Sequence, residues 1–285
     1  MRHRRLLPIL AVALALPLAL PGAAAAGNRG EPIVADLNND GLVDRATLGP
    51  DTGVPTGTPT CTISVEIRRP NGTYRPPAVH SYTSPWTRQP FCPNMGEAIN
   101  LGPLGQTELV LTHFNASRQP TLIALKNYQP VATFDGLEFP STIRSADFNG
   151  DGRTDIWEST DQVERLRTFT NTGLGTLVPG PIDVCSRDPI PQHVLADFNG
   201  DGGKDFLAVL NCDLVSSAQV LFGNGQAPVT LDSRTTLHLA FQVFQVDINN
   251  DGIPDAGLID HAADGTVTTR YFQNDGHGAF TEVAP

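Results

Sequence analysis

Short apolar runs alternate with polar turns along most of the chain, and this pattern predicts β-strands. One set of runs enters an acidic turn and a second set leaves it. PIVAD, TIRSAD, QHVLAD and FQVFQVD enter, whereas RATLG, DIWES, DFLAVL and DAGLI leave. Apolar runs of about four to eight residues bounded by turn residues are typical of strands, because helices are usually longer. The pattern therefore predicts an all-β chain.

A hairpin pattern follows each of these strand pairs. Asn-Gly, Asp-Gly and related turns between alternating apolar residues are a strong short-range signal for a hairpin. The segments are ISVEIRRPNGTYRPP (63–77), LRTFTNTGLGTLV (166–178), AQVLFGNGQAPVTL (218–231) and VTTRYFQNDGHGAFTEV (267–283). Two strands around an acidic turn and two around a hairpin make a four-stranded unit.

The acidic turns share one nine-residue pattern, D-x-N-x-D-G-x-x-D. It occurs at 36–44, 147–155, 197–205 and 247–255, so the last three copies begin at a constant spacing. A fixed period of about 20–50 residues indicates a solenoid, a propeller or another repeat array.

The residue types in this pattern are those of a calcium-binding loop. Calcium takes about six to eight oxygen ligands, which positions 1, 3, 5 and 9 and the backbone carbonyl of position 7 can supply. Glycine at position 6 permits the sharp turn. Three carboxylates this close repel each other unless a cation lies between them, and magnesium demands a tighter octahedron. A single copy would resemble an ordinary Asp-Asn-Gly turn, but four matching copies predict calcium sites.

The sequence thus predicts about four Ca²⁺ ions, each held by one ligand set. The side-chain ligands are Asp36, Asn38, Asp40 and Asp44; Asp147, Asn149, Asp151 and Asp155; Asp197, Asn199, Asp201 and Asp205; and Asp247, Asn249, Asp251 and Asp255, with the carbonyls of Leu42, Arg153, Gly203 and Ile253. An EF-hand is not indicated, because its loop ends in a bidentate glutamate at position 12. That position holds Thr47, Glu158, Ala208 and Leu258.

A fifth unit lies between the first two acidic turns. NLGPLGQTELVL (100–111) aligns with DFNGDGRTDIWE and places Asn100, Gly102, Leu104, Gly105 and Glu108 at positions 1, 3, 5, 6 and 9. Because most acidic ligands are missing, we expect no calcium there. The five predicted units span about 33–80, 95–135, 143–183, 193–232 and 243–284.

These units resemble FG-GAP repeats, also called VCBS-type repeats, which occur in the propeller of integrin α subunits and in many secreted bacterial proteins. The resemblance rests on the acidic loop after an apolar strand and on the hairpin NDGHGAF (274–280). The resemblance implies a β-propeller with calcium-binding loops between the first two strands of a blade, and the unit count gives about five four-stranded blades, four of which have such a loop. Propellers of this family usually have seven blades. We expect a closed five-bladed ring, while a ring completed by a partner and a more open stack stay open.

Residues 1–26 have the pattern of a secretory signal peptide, and residues 27–285 form the predicted propeller domain. MRHRR is basic, LLPILAVALALPLAL is apolar, and three alanines precede a cleavage site near Ala26. Arg4 and Arg5 leave twin-arginine export open. The protein is therefore expected to be secreted or periplasmic, and no later apolar run is long enough to span a membrane.

Charge argues against a nucleic-acid partner. The chain carries 19 Lys and Arg against 30 Asp and Glu, a net charge of −11. Loss of the three signal-peptide arginines would leave 16 against 30, a net charge of −14. Much of this acidity belongs to the predicted calcium ligands, and nucleic-acid binding needs a basic surface.

Four cysteines in an exported chain predict two disulfides. Cys61–Cys92 and Cys185–Cys212 are nearest in sequence and would connect neighbouring strands or blades. The other two connectivities and free thiols stay open at this point. A Cys₄ metal site is not indicated, because no C-x₂-C pair occurs.

Aromatic side chains fall into two groups. Phe148, Trp157 and Phe198 adjoin the acidic turns and are expected in the core between blades. A Pro-rich stretch at 81–96 predicts a loop between the first two units, and loops often carry function. Aromatic groups there are candidates for stacking on a ligand. The candidate ligand surface consists of Tyr82, Trp86, Arg88 and Phe91.

No sequence motif predicts catalysis. H-E-x-x-H, G-x-S-x-G, Walker A and dinucleotide fingerprints are all missing from the sequence. We therefore expect a secreted calcium-binding module for binding, adhesion or scaffolding, with a protein or glycan ligand. The alternative is a polysaccharide-acting lyase or hydrolase on the same scaffold, because fold alone does not exclude an enzyme. A purely structural envelope component is a third hypothesis.

Overall fold

The computed structural model describes residues 29–50, 59–86, 91–103, 105–160, 162–186, 192–235, 241–262 and 264–284. The predicted signal peptide, Arg88 and Leu104 lie outside these ranges. The described residues form 20 strands in five antiparallel sheets of four strands each. This confirms the prediction of an all-β, propeller-like fold with five four-stranded blades. No helix in the described ranges is long and apolar enough to cross a membrane.

Each sheet is one blade, and its strands follow one another in sequence. Blade 1 contains β1 (Ile33–Ala35), β2 (Asp44–Leu48), β3 (Thr60–Glu66) and β4 (Ala78–Thr83); blade 2 contains β5 (Met95–Ile99), β6 (Glu108–Thr112), β7 (Leu122–Lys126) and β8 (Gln129–Phe134); blade 3 contains β9 (Thr142–Ala146), β10 (Asp155–Thr160), β11 (Arg165–Asn171) and β12 (Leu177–Cys185); blade 4 contains β13 (His193–Ala196), β14 (Asp205–Cys212), β15 (Val215–Leu221) and β16 (Val229–Thr235); blade 5 contains β17 (Phe241–Val246), β18 (Asp255–His261), β19 (Val267–Asn274) and β20 (Phe280–Val283).

The position of a strand within its blade explains its sequence pattern. In blade 4, β14 is buried from Asp205 to Leu210, whereas the fourth strand, β16, alternates between exposed and half-buried positions. Neighbouring blades cover both faces of an inner strand, so DFLAVL reads as a nearly continuous apolar run. The fourth strand keeps the period of two that is typical of a half-exposed strand.

Four hydrophobic clusters join neighbouring blades. They lie between blades 1 and 2, blades 2 and 3, blades 3 and 4, and blades 4 and 5. Phe148 and Trp157 belong to the cluster between blades 3 and 4, and Phe198 belongs to the cluster between blades 4 and 5. The prediction that these three side chains lie in the core between blades is confirmed.

The junction between blade 5 and blade 1 differs from the other four. No hydrophobic cluster joins these two blades within the ranges described above. The outer face of blade 1 is exposed: Arg45 and Thr47 are exposed polar residues, and Val79 on the same face is 66% exposed. Phe198 packs into the cluster that blade 4 forms with its successor, whereas the equivalent Ile248 of blade 5 belongs to no cluster. A closed ring, as we expected it, requires contact between blades 5 and 1. The described residues form no hydrophobic cluster at this junction.

Both predicted disulfides are present. Cys61–Cys92 has an S–S distance of 2.08 Å and connects β3 with the segment that enters blade 2. Cys185–Cys212 has an S–S distance of 2.05 Å and connects β12 of blade 3 with β14 of blade 4. Each disulfide therefore reinforces a junction between consecutive blades.

Two glutamates are buried in the core between blades. Ser145 donates a hydrogen bond to Glu97 at 2.9 Å, and the backbone N–H of Leu137 donates one to Glu158 at 2.7 Å. Burial disfavours the charged carboxylate and raises the pKa of each glutamate to about 8, although these hydrogen bonds oppose the shift. The folded protein therefore favours the protonated acids at neutral pH.

We predict that Glu158→Gln stabilises the protein increasingly as the pH rises. The ordinary pKa of this carboxyl is 4.5 and the folded value is about 8. The preference of the folded state for protonated Glu158 contributes to stability. This contribution is fully present below about pH 4.5 and is lost as the pH rises towards 8. The difference in melting temperature between the variant and the wild type should grow across this window. Glu66→Gln, at a partly exposed strand position, is the control, and an equal pH dependence in both variants would contradict the prediction.

Candidate functional site

The four acidic loops connect the first two strands of blades 1, 3, 4 and 5. Each loop follows the blade's first strand, and its position 9 begins the second strand: Asp44, Asp155, Asp205 and Asp255. Because the strand order is the same in every blade, all four loops lie at the same end of their blades. We number the loop positions 1 to 9 as in the sequence pattern.

The aspartate at position 1 closes the turn of each loop. Its carboxylate accepts the backbone N–H of the glycine at position 6, at distances of 2.7, 2.8, 2.9 and 3.0 Å in blades 1, 3, 4 and 5. The position-6 glycines have φ between 80° and 88°. A side chain is strained in this left-handed conformation, which explains the glycine in all four copies.

Positions 3 and 5 form two further short turns. The Asn at position 3 accepts the N–H of position 5 at 3.0 to 3.2 Å. The Asp at position 5 accepts the N–H of position 7 at 2.7 to 2.9 Å. Asn and Asp side chains commonly bond to the backbone two residues ahead. The same set of bonds in four blades shows that one loop conformation is repeated.

The donor set of each loop suits a hard divalent cation. Three carboxylates, one amide and one carbonyl occur within nine residues, and such oxygens are the ligands that calcium prefers. Asp151 pairs with Arg153, and no other loop carboxylate forms an ion pair in the described part of the chain. The negative charge is therefore largely uncompensated by side chains.

The structure does not bring these carboxylates together into a metal-coordinating group. Among the residues that it describes, no three Asp, Glu, His or Cys side chains converge in that way. In blade 5, Asp247, Asp251 and Asp255 instead each accept backbone N–H groups. The predicted ligands thus lie in the predicted loops and fit calcium by their chemistry, while calcium binding stays a prediction.

Position 9 has a second role that the sequence pattern did not reveal. Its carboxylate is buried and accepts two backbone N–H groups, one from position 2 and one from the end of the third strand or the turn after it. In blade 3, Asp155 accepts Phe148 at 3.0 Å and Asn171 at 2.7 Å. The corresponding pairs are Leu37 and Arg68 on Asp44, Phe198 and Gly223 on Asp205, and Ile248 and Asn274 on Asp255.

Blade 2 keeps this bridge without the other acidic ligands. Glu108, at position 9, accepts the N–H of Leu101 at position 2, with a distance of 3.0 Å. Its other carboxylate oxygen lies 3.6 Å from the ammonium group of Lys126, at the end of the third strand. A charged side chain therefore occupies the place that a backbone N–H takes in the other blades. The bridge therefore has a structural role in the blade, because it is also present in blade 2, where calcium is not expected.

Burial and like charges act on the position-9 carboxylates. Burial raises the pKa of Asp44, and raises the pKa of Asp155 and Asp205 to about 6. The accepted backbone N–H groups oppose this shift, and the aspartates at positions 1 and 5 add to it through repulsion. The two N–H donors thus make a buried carboxylate tolerable.

The loops of blades 1 to 4 also connect each of these blades to the one that follows it in the chain. The carbonyl of Asp36 accepts the hydroxyl of Thr107 at 2.8 Å, and that of Asp147 accepts the N–H of Lys204 at 2.7 Å. The side-chain amides of Asn171 and Asn274 likewise donate to Asn100 and Phe198 of the preceding blade, both at 2.7 Å. Loop geometry and blade packing are therefore mechanically linked.

The candidate ligand surface requires a correction. Tyr82 and Trp86 are only 3% and 4% exposed and belong to the cluster between blades 1 and 2. Their burial beside the Cys61–Cys92 disulfide removes them from a contact surface. Phe91 is half-buried and stacks on His113, with ring centroids 4.7 Å apart. Arg88 lies outside the described residues.

Comparison with known proteins supports the repeat and the fold. Residues 147–208, from the loop of blade 3 to β14 of blade 4, match the family model of the FG-GAP-like repeat. This stretch is therefore FG-GAP-like repeat sequence, as the resemblance predicted. No curated protein matches the chain.

Two solved structures were compared with the chain. A lectin from Agrocybe aegerita that recognises non-reducing terminal N-acetylglucosamine aligns with a TM-score of 0.50 and 17% identity, covering 88% of this chain. The chain spans 64% of that lectin's length. The Tc holotoxin pore of Photorhabdus luminescens aligns with a TM-score of 0.37 and 17% identity over 94% of this chain and 12% of its own. At 17% identity the likeness to the lectin concerns the fold alone.

We predict that position 9 stabilises the fold even without calcium. In EDTA, Asp255→Ala should lower the free energy of unfolding by about 2–6 kcal/mol, because two backbone N–H groups lose their acceptor at about 1–3 kcal/mol each. Asp251→Ala, at the exposed position 5 of the same loop, should cost no more than about 1 kcal/mol. Chemical denaturation measures both. Equal losses for the two variants in EDTA would show that the buried bridge has no special role.

Proposed function

We propose that the protein is a secreted binding module whose four acidic loops each bind one calcium ion, with calcium in a structural role. One observation carries the proposal: the same loop conformation, with three carboxylates in nine residues, recurs in blades 1, 3, 4 and 5. The calcium ligands would be the four predicted sets, together with the carbonyls of Leu42, Arg153, Gly203 and Ile253.

Calcium would act by relieving repulsion within each loop. In blades 3 and 4 the aspartates at positions 1 and 5 help to raise the pKa of the position-9 aspartate by repulsion, so the negative charge of the loop opposes the folded conformation. A bound cation removes this opposition. Since the acidic loops of blades 1, 3 and 4 contact the next blade, calcium would stabilise these blade junctions as well as the turn.

Two observations support export. Both pairs of cysteines form disulfides, which persist in extracellular and periplasmic compartments. Residues 1–26 carry the pattern of a signal peptide. Calcium at extracellular concentrations would then keep loops of modest affinity occupied.

The ligand that we propose is a glycan. The fold is shared with a lectin that recognises a terminal sugar, and the chain's acidity argues against a nucleic acid. A protein ligand is the second ligand class that the sequence predicts, and the experiment below separates the two.

We predict that chelation lowers the stability of the wild-type protein sharply. At a free calcium concentration about 100 times Kd, binding contributes roughly 2.7 kcal/mol per site. Equilibrium dialysis should find about four bound ions, and Asp247→Asn combined with Asp251→Asn should remove one. Glu108→Gln, in the blade without acidic ligands, should leave the number unchanged. A melting curve that does not respond to EDTA would disprove the calcium proposal.

We predict that the calcium-loaded protein binds glycans without turnover. A glycan array that includes terminal N-acetylglucosamine, combined with product detection on a panel of polysaccharides, tests this expectation. Released oligosaccharide products would support the lyase or hydrolase alternative instead. Failure to bind any glycan, together with specific retention of a protein on the immobilised module, would favour the protein-ligand hypothesis.

A further inference from the structure

A cavity of about 360 Å³ lies between blades 1 and 2 at the end opposite the acidic loops. Arg29 and Glu31, which precede β1, line one side, and Asn94, His113 and Phe114 of blade 2 line the other. Leu48 at the end of β2 contributes an apolar wall. This volume lies within the range of about 300–1,000 Å³ that is typical of small-ligand sites.

A stack of planar groups forms the blade 2 side of the cavity. Phe91 lies parallel to His113, with centroids 4.7 Å apart and an interplanar angle of 4°, and His113 packs on Phe114 at 4.7 Å. The guanidinium of Arg29 lies 3.7 Å above the centre of the Phe114 ring. Cys92, which follows Phe91, is tied to β3 by a disulfide. The stack is therefore anchored at one end by a covalent bond.

The polar groups of the cavity are held in fixed orientations. Asn94 accepts the N–H of Phe114 through its side-chain oxygen at 3.3 Å, so its NH₂ group has a defined direction. His113 accepts the N–H of Asn115 on Nδ1 at 3.0 Å, so the hydrogen of the neutral imidazole lies on Nε2. Arg29 is held by its cation–π contact with the Phe114 ring, and its guanidinium carries hydrogen-bond donors only.

The charges of the cavity favour a neutral polar ligand. Arg29 and Glu31 carry opposite charges and are both exposed at the rim. An anion would meet the carboxylate, and a cation would meet the guanidinium. A sugar ring satisfies all of these groups, because its hydroxyls donate to Glu31 and accept from Arg29 and Asn94, while its C–H face packs against apolar and aromatic walls.

We propose that this cavity between blades 1 and 2 is the glycan-binding site and that it takes a neutral terminal sugar. The proposal rests on the proposed glycan-binding function and assigns it a place. Arg29, Glu31 and Asn94 bind hydroxyl groups, and the Phe91–His113–Phe114 stack holds them in position. The site lies next to the predicted 81–96 loop, but it uses Phe91 and blade 2 instead of Tyr82 and Trp86.

Titration with methyl glycosides of glucose, galactose, mannose and N-acetylglucosamine tests the proposal. At least one glycoside should shift the NMR signals of the Asn94 side-chain amide and the His113 ring in the calcium-loaded wild type. Arg29→Ala and Glu31→Gln should each weaken its Kd at least tenfold. Arg75→Ala, an exposed arginine on the hairpin of blade 1, should change Kd less than twofold. Melting curves in calcium establish that each variant is folded.

The outcomes separate this site from the general function. If a glycoside binds the wild type and both cavity variants with equal Kd, the site assignment is wrong, although the glycan-binding function stands. If no glycoside shifts Asn94 or His113 while the glycan array is positive, the neutral-sugar site is overturned in the same way. A negative array together with no shifts overturns both proposals.

Discussion

The fold depends on one buried carboxylate in each blade, at the ninth position of the loop. In blades 1, 3, 4 and 5 this aspartate accepts the N–H of the second loop residue and an N–H near the end of the third strand, as Asp155 does with Phe148 and Asn171. The second strand, the third strand and the loop are thereby tied to one carboxylate that lies away from water. Removal of such an acceptor leaves two N–H groups without partners, which is costlier than the loss of one surface hydrogen bond. Blade 2 keeps the arrangement with Glu108 and Lys126, so this constraint does not require the acidic loop that surrounds it in the other blades.

The acidic loop therefore combines two kinds of carboxylate. Those at positions 1 and 5 lie mostly at the surface and order the turn by accepting backbone N–H groups of the loop itself, whereas the one at position 9 is fixed in the core. A cation bound to the loop would meet a partner that is already in place at position 9 and would have to reorient only the surface groups. This division explains why blade 2, which lacks the surface carboxylates, has the same strand order as the other blades.

The sequence predicted the features that depend on local chemistry. Loop positions, strand pairs, five units and the core role of Trp157 all follow from residue type and spacing, and the structure confirms the strands, the blades and the core residues. It also shows which of the three possible cysteine pairings is formed. Features that depend on distant contacts were less accessible. The Pro-rich stretch after Tyr82 looks polar and irregular, yet Trp86 fills the junction with blade 2, which only the packing of two blades reveals. The sequence also did not predict that blades 5 and 1 share no hydrophobic cluster. The exposed outer face of blade 1 becomes recognisable only when Arg45 and Thr47 are placed on one side of the sheet. The second function of position 9 was masked by the calcium pattern, since both roles require the same aspartate.

The two ends of the blades then serve different purposes. One end carries the acidic loops, and the other carries the cavity lined by Arg29, Asn94 and His113. Blade 2 contributes Asn94 and His113 to the cavity. It has no acidic loop, so no calcium ion would bind within this blade. The connection runs through blade 1, where β1 is only three residues long and joins the rim residue Glu31 to the loop that begins at Asp36. Thr107 of blade 2 bonds to the carbonyl of that same Asp36. Calcium in blade 1 would thus hold the two blades in register at one end, and the Cys61–Cys92 disulfide holds them at the other. Because the cavity lies between two blades that are held together at both ends, its polar groups are in position before a ligand binds. This preorganisation lowers the entropy lost on binding.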